Sequence, residues 1–244
     1  MNILAFDTSN QPLSVAIIAN NEILTEQTIN IKRNHSIQLM PAINEAFKQT
    51  NIFLKDMDKI AVASGPGSYT GLRIAVTTAK SLAWSLDIDL VGVSSLKVLA
   101  QNSSQRKDEL IVPIFDARRE NIYTGLYTRN DEGKLVQLVE DTHISAEKWA
   151  NLLSAKNTKE SIELIGSDAA KFIDTFKEKL ADRVKLAPHA HNLPRASELA
   201  FLAQNEKVVP THTLVPTYLK LAEAEENWME EHPDFKGGDL VEKI

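Results

Sequence analysis

Apolar and polar positions along the chain predict short strands followed by amphipathic helices. Short apolar runs bounded by turn-forming residues indicate buried strands, and apolar residues spaced by three and four indicate helices. In the first half the predicted strands span 3–6, 14–19, 22–31, 59–63 and 90–93. The predicted helices span about 36–50 and 70–86, and a third begins at Ser94 or Ser95. Asn20-Asn21 predicts a two-residue hairpin turn, because asparagine tolerates positive φ.

The second half repeats this order. Its predicted strands span 110–115, 122–128, 135–139 and 162–165, and its predicted helices span 145–154, 168–180 and 195–205. Each half opens with a three-stranded antiparallel meander whose first strand ends at an aspartate, Asp7 or Asp116. The repeat predicts an α/β fold of two similar subdomains that arose by duplication. This layout resembles the actin, hexokinase and Hsp70 type of ATPase fold.

The distribution of charge divides the chain further. The formal net charge is −6, and residues 221–244 alone hold eight carboxylates against two lysines. Residues 1–220 are therefore close to neutral, which argues against a protein that binds nucleic acid alone through a basic surface. We expect an N-terminal subdomain over 1–105, a C-terminal subdomain over 106–220 and an acidic tail over 221–244.

Composition indicates the cellular compartment in which the chain works. The chain has no cysteine, which excludes disulfides and thiolate zinc sites and suits a reducing cytosol. The first residues lack the basic region of a secretory signal. No apolar run approaches the roughly 20 residues of a membrane span. We therefore expect a cytoplasmic protein with no membrane partner.

The glycine-rich segment Ser64–Arg73 (SGPGSYTGLR) links a predicted strand to a predicted helix. Backbone N–H groups at such a helix start can bind an anion, but the segment lacks the lysine of a P-loop and the third glycine of a dinucleotide fingerprint. The alternative is a tight turn in which Thr70 caps the helix, Arg73 pairs locally and the glycines permit close approach. The residues of this motif loop are Gly65, Pro66, Gly67, Ser68, Tyr69, Thr70, Gly71 and Arg73.

Two predicted helices have unusual surfaces. Ile37, Met40, Ile43 and Phe47 form a wide apolar stripe on the first helix. The second is rich in small residues, which let helix axes approach closely. Both features fit either an intramolecular core or a helix–helix seam between two chains.

The residues predict no catalytic site. Asp7 and Asp116 end strands where ligands bind in α/β folds, yet an aspartate there commonly caps its own turn. His189 and His191 lack further ligands for a metal, and no Gly-x-Ser-x-Gly nucleophile motif occurs. We predict no catalytic residue and no metal site, and we treat Asp7, Thr8, Ser9 and Asp116 as the candidate remnant of a nucleotide site.

Several motifs occur in the order that one protein family shows. They are Ile3–Ser9, His35-Ser36, Ser64–Arg73, Asp116–Arg118, Pro216–Lys220 and Ala224-Glu225. On these motifs the chain resembles the TsaB family, a subunit of the bacterial machinery that makes threonylcarbamoyladenosine in tRNA. Ser64–Arg73 is the most specific of them, and the last dozen or so residues lie outside the pattern.

The resemblance implies an actin-like fold without catalysis of its own. It implies binding to the TsaD subunit, which transfers threonylcarbamoyl to the adenosine beside the anticodon, and participation of the ATPase TsaE. This chain lacks a His-x-x-x-His pair and so departs from TsaD where TsaD binds metal. The family further implies contact with tRNA only through the complex, no intrinsic cofactor, and ATP or ADP, if present, at the subunit interface.

The resemblance also implies a role for the two helices near 36–50 and 70–86. They are expected to form a four-helix seam with TsaD, or with a second copy when the chain is alone. The seam residues are then Ile37, Met40, Ile43, Phe47, Ala75, Thr78, Ala79 and Leu82. Two other functions are weighed against this one: an autonomous ATPase or sugar-type kinase, motivated by the fold and Asp7, and a metalloprotease, for which the ligands are missing.

Overall fold

In the part of the chain that the structure describes, each half builds one five-stranded sheet flanked by helices. The computed structural model describes residues 1–31, 34–104, 109–156 and 160–220, so the predicted acidic tail lies outside the described residues. The elements of the first half are β1 (Asn2–Asp7), β2 (Leu13–Ala19), β3 (Glu22–Ile29), α1 (His35–Lys48), β4 (Lys59–Gly65), α2 (Tyr69–Leu86), β5 (Asp89–Ser94) and α3 (Ser95–Gln101). The elements of the second half are β6 (Leu110–Arg118), β7 (Asn121–Arg129), β8 (Leu135–Ser145), α4 (Ala146–Ala155), β9 (Ile162–Ile165), α5 (Ala169–Leu180), β10 (Val184–Leu186) and α6 (Ala196–Ala203).

The strand order confirms the predicted repeat. The first sheet runs β3-β2-β1-β4-β5, and the second runs β8-β7-β6-β9-β10. In both sheets the first three strands in sequence pair antiparallel, and the last two join in parallel. The predicted Asn20-Asn21 turn is also confirmed, with φ of 50° and 68° at the two residues. β10 was not predicted, because three residues carry too little periodicity.

The helices cover the sheets in layers. On the first sheet, α1 and α2 bury Leu39, Ile43, Ala75 and Ala79 against one face. On the second sheet, α4 and α5 cover the corresponding face. Helix α3 packs between the halves, with Leu96 and Leu99 among the core residues of the second sheet. This arrangement places the C-terminal ends of β1 and β6 at a junction between the halves.

Helix α6 packs on the first sheet and corrects the predicted subdomain boundary. Its apolar residues, Leu199 among them, pack against Ile3 and Ile18 of that sheet. The helix has no side-chain cap of its own; instead Glu26 of β3 accepts hydrogen bonds from Ser197 N (2.9 Å) and from the Arg195 guanidinium (2.5 Å). Residues 196–203, predicted within the second subdomain, therefore belong to the core of the first.

Residues 208–219, which we name the C-terminal strap, also return to the first half. Val209 N donates to a carbonyl of β5 (3.0 Å), and Thr217 N donates to a carbonyl of β4 (2.7 Å). The Lys80 ammonium of α2 donates to two strap carbonyls at 3.1 and 2.9 Å. The strap therefore lies along α2, and no apolar period in the sequence predicted it.

Candidate functional site

A cleft of about 440 Å³ opens between the two halves, at the C-terminal ends of β1 and β6. One wall is the motif loop with the turn after β1, and the opposite wall is the turn after β6. The end of the strap closes one side. The lining residues are Ser9, Asn10, Gly67, Ser68, Tyr69, Phe115, Asp116, Ala117, Arg118, Tyr123, Thr217, Tyr218, Leu219 and Lys220.

The glycines of the motif loop permit contact between backbone segments of this chain. A Cβ atom at Gly71 would lie 2.0 Å from the carbonyl oxygen of Thr8, and one at Gly67 would lie 2.1 Å from that of Ser9. A Cβ at Gly65, where φ is 119°, would lie 2.4 Å from a strap carbonyl. The predicted close approach is confirmed, and protein backbone occupies the space beside these glycines.

Amide groups of the loop are also engaged within the chain. Ser68 N donates to Ser9 O (2.7 Å), and Gly65 N donates to the Ser95 hydroxyl (3.1 Å). Gly71 N donates to the Ser68 hydroxyl (3.3 Å), so Ser68 caps α2. The prediction of Thr70 as the cap was wrong, because the cap lies two residues earlier, at Ser68, and Thr70 lies inside the first turn of the helix.

Asp7 is buried beneath this loop. Its Oδ1 accepts a hydrogen bond from Ser9 N (2.7 Å), and its Oδ2 has no partner among the described residues. Burial raises the pKa of Asp7, and the hydrogen bonds with Ser9 and the nearby His35 oppose the rise only in part. Thr8 donates its hydroxyl to Gly71 O (2.7 Å) and is fully buried. Of the predicted nucleotide-site remnant in this half, Ser9 alone lines the cleft.

Asp116 lies at the open rim of the same cleft. It accepts hydrogen bonds from Arg118 N (2.8 Å) and from the Lys171 ammonium (3.0 Å). Burial would raise the pKa of Asp116, but these donors and the charges of Lys171 and Arg118 outweigh burial and lower it. The carboxylate of Asp168 accepts from Asp116 N (3.0 Å) and holds the turn in place. Both aspartates therefore cap their own turns, as the turn-former interpretation predicted.

A pair of tyrosines joins the cleft to α2. Tyr69, the first residue of α2, stacks on Tyr218 of the strap with ring centroids 4.9 Å apart and planes inclined by 29°. Arg73, one turn along the helix, donates to the Tyr69 hydroxyl (2.9 Å) and lies 5.3 Å from the centre of its ring. The predicted local pairing of Arg73 is confirmed. Tyr218 was missed as a site residue; its place in the Pro216–Lys220 motif was the signal available.

The outer face of α1 and α2 carries large apolar side chains. Ile37 is 69% exposed, Met40 47% and Trp84 80%. A groove between the starts of the two helices is lined by Ser36, Tyr69, Thr70, Arg73, Ile74, Thr77 and Thr78. Trp84 was missed by the sequence interpretation, although it is the largest residue in a helix of mostly small ones.

Burial corrects the predicted seam at three positions. Ile43, Ala75 and Ala79 are at most 2% exposed and pack against the first sheet, so a second chain cannot reach them. Phe47, Thr78 and Leu82 are half-buried. The four apolar residues of the predicted stripe on α1 spread over more than one face of the helix. The stripe therefore includes both residues that pack against the sheet and residues that are exposed.

The described residues offer neither a metal site nor a membrane span. No group of three or more histidine, aspartate or glutamate side chains in the described ranges is arranged to hold a metal ion. Over the same ranges, no helix combines the length and apolar character that crossing a bilayer requires.

Comparison with known proteins identifies the family. A family model described as "TsaD: tRNA N6-adenosine threonylcarbamoyltransferase" matches residues 22–228. The Bacillus subtilis tRNA threonylcarbamoyladenosine biosynthesis protein TsaB is 43% identical over 94% of this chain and 99% of its own length. The chain belongs to the TsaB family. The match to the TsaD model shows that this chain is also similar in sequence to the TsaD family.

Solved structures confirm the fold of this TsaB-family chain. YeaZ from Pseudomonas aeruginosa superposes with a TM-score of 0.73 at 25% identity, covering 89% of this chain and 99% of YeaZ. A second P. aeruginosa structure, of a protein described as similar to the peptidase YeaZ, gives a TM-score of 0.76 at 24% identity over 90% and 99% of the two chains. The fold is the actin-like ATPase fold predicted from the repeated layout.

Proposed function

We propose that the chain is a non-catalytic subunit that binds and activates a TsaD-type threonylcarbamoyltransferase during tRNA modification. The observation that carries this proposal is the outer face of α1 and α2, where Ile37, Met40 and Trp84 are exposed. Exposed apolar surface of this kind marks protein interaction sites. Family membership supports the assignment to tRNA modification, and the exposed apolar face supports an action through binding to another subunit.

The cleft supports a role without catalysis. An ATPase of this fold would need its aspartates accessible to a nucleotide and its loop amides free to hold phosphate. Asp7 is instead sealed under the motif loop, and Asp116 is paired with Lys171. Three loop amides donate within the chain. We therefore place any ATP or ADP at the subunit interface, where a TsaE-like ATPase would join.

Charge supports indirect contact with RNA. Residues 1–220 hold equal numbers of basic and acidic side chains, whereas binding to tRNA by phosphate neutralisation requires a basic surface. The partner subunit would therefore supply most of the RNA contact in a cytoplasmic complex. When alone, the chain would pair with a second copy through the same apolar face.

Met40→Asp tests the proposed interface. A carboxylate at this exposed position would be buried without a partner on binding, so we expect affinity for the TsaD-type subunit to fall by roughly 30-fold or more. Calorimetry or gel filtration of the mixed subunits measures the change. Leu138→Asp is the matched control, because Leu138 is similarly exposed (50%) on β8. Leu82 is a poorer choice, since it packs against the core.

Intact complexes with Met40→Asp would contradict the interface. The function is tested separately by reconstituting tRNA modification with the other pathway proteins, with and without this chain. We expect product only when the chain is present, and no ATP turnover by the chain alone. Unchanged product in its absence would refute the proposed role, and turnover by the isolated chain would favour the ATPase alternative.

A further inference from the structure

Arg73 is the one charged residue among the described residues that line the groove between α1 and α2. The other six residues that line this groove are neutral. Among the described residues, the guanidinium donates a hydrogen bond to the Tyr69 hydroxyl at 2.9 Å, and no carboxylate lies within ion-pair distance. A guanidinium carries five N–H donors, and Arg73 is exposed, so most of these donors are available to a partner.

The Arg73 guanidinium is held in place by a stacked pair of tyrosine rings. Tyr218 of the strap stacks on Tyr69, and Arg73 lies 5.3 Å from the centre of the Tyr69 ring and donates a hydrogen bond to its hydroxyl. An exposed arginine normally loses side-chain freedom when it binds, and this loss weakens binding. The stack lowers this cost because the side chain is already oriented in the free chain.

The surroundings distinguish a protein partner from an RNA partner. Binding to RNA through phosphates relies on several cations, whereas the next cation along α2, Lys80, is engaged with strap carbonyls. The face instead combines Tyr69, Arg73 and Trp84, and tyrosine, arginine and tryptophan are the residue types enriched at the centres of protein interfaces. The planar guanidinium matches a carboxylate by two parallel hydrogen bonds.

We propose that Arg73 anchors the TsaD-type partner by pairing with a carboxylate on the surface that docks against α1 and α2. This inference rests on the function proposed above and adds the chemistry of the contact: an aspartate or glutamate of the partner, set among apolar residues, opposite the groove. Tyr218 acts as a positioning residue, because it holds Tyr69 and through it the guanidinium.

Binding of the two purified subunits tests the anchor. We expect Arg73→Ala to weaken the complex by roughly 30-fold, the size of a hot-spot contribution. Arg73→Lys keeps the charge but loses the paired hydrogen bonds, so an intermediate loss of roughly 10-fold is expected. Lys134→Ala is the matched control; Lys134 is an exposed cation of the second half that pairs with Glu132 at 2.8 Å, and its removal should change affinity by less than about 2-fold.

A double-mutant cycle tests the role of Tyr218. Tyr218→Ala should weaken binding by roughly 3-fold in the wild-type background, since Arg73 must then be ordered on binding. In the Arg73→Ala background it should have no further effect. Equal losses in both backgrounds would overturn the positioning role. Circular dichroism and thermal unfolding of each variant separate loss of binding from loss of fold.

The partner residue is identified by charge reversal. Arg73→Glu should abolish binding, and one aspartate-to-lysine or glutamate-to-lysine substitution on the partner's docking surface should restore it. If Arg73→Ala binds like the wild type while Met40→Asp does not, the anchor is wrong and the proposed interface stands. If the wild-type subunits do not associate, the proposed interface itself fails. Loss of tRNA binding by the isolated chain on Arg73→Ala, without loss of the complex, would overturn the carboxylate in favour of phosphate.

Discussion

Asp7 and Asp116 end equivalent strands of the two sheets, yet their environments are opposite. Asp7 is 2% exposed beneath the motif loop, and burial raises its pKa. Asp116 stands at the rim of the cleft, where Lys171 and the Arg118 amide help to lower its pKa. Duplication therefore preserved the backbone frame while the two carboxylates diverged in accessibility and charge.

The loops that follow the central strands explain this difference. In each half three residues link the fourth strand to its helix. In the first half Gly67 and the nearby Gly71 let the loop press onto the turn after β1. In the second half the equivalent loop ends at Asp168, whose carboxylate accepts from Asp116 N instead of capping α5. One turn is covered by backbone, whereas the other is held from its side and stays open.

The largest effect is expected where the covering contact is tightest. Gly71→Ala would place a Cβ atom 2.0 Å from Thr8 O, so the loop must lift from the turn after β1. We expect the free energy of unfolding to fall by about 2–3 kcal/mol, as for overpacked cores. Urea unfolding measures it. Gly133→Ala is the control: a Cβ there meets nothing within 4 Å, and only its φ of 75° opposes the change, at about 1 kcal/mol. Equal losses would mean that the loop does not seal Asp7.

A smaller effect of the opposite sign is expected at Asp7. The pKa of Asp7 is raised in the folded chain, so its charge opposes folding as pH rises from the unfolded-state pKa through the folded-state value. Asp7→Asn keeps an acceptor for Ser9 N and removes the charge. We expect a gain of about 1 kcal/mol at pH 7 that vanishes below the unfolded-state pKa. A pH series of urea unfolding measures it, and destabilisation at neutral pH would contradict the burial of an uncompensated carboxylate.

The smallest effect is expected at Asp116. Its pKa is lowered in the folded chain, so its ionised form contributes stability above the unfolded-state pKa, and this contribution is lost as pH falls through the folded-state value. Asp116→Asn should cost about 1 kcal/mol or less at pH 7, as for other ion pairs near the surface. The same pH series serves here, and the two aspartates should give pH dependences of opposite sign. Slopes of the same sign would remove the contrast between the two turns.

Local signals predicted most of the fold. The apolar runs located nine of the ten strands that the described residues form, and the asparagine pair located a turn. These local signals could not predict contacts between segments that are distant in the sequence. The apolar pattern of helix α6 predicts a helix but does not indicate which sheet it covers. The strap is held mainly by backbone hydrogen bonds, which leave no periodic pattern of side chains in the sequence. Because the prediction followed the order of the elements in the chain, it assigned both helix α6 and the strap to the second half instead of the first.

In the candidate site, too, local features were predictable from the sequence, and contacts between distant segments were not. The glycine spacing predicted close backbone approach, and the acidic turns predicted their own capping. The apolar stripe could not separate Met40 from Ile43, because positions three apart in a helix lie about 60° from each other around the axis. Burial separates them: Met40 faces outward, and Ile43 is in the core. The pairing of Tyr69 with Tyr218 depends on where the strap returns, which local patterns do not encode.

The position of α6 has a consequence for synthesis on the ribosome. One face of the first sheet, including Ile3 and Ile18, is covered by residues 196–203, which are translated some 180 residues later. At about 5–20 residues per second this interval lasts roughly 10–40 s. During that time the oldest strands of the nascent chain expose apolar surface. We expect the first half, made alone, to require a chaperone or to aggregate, and the two halves to complete their cores together near the end of translation.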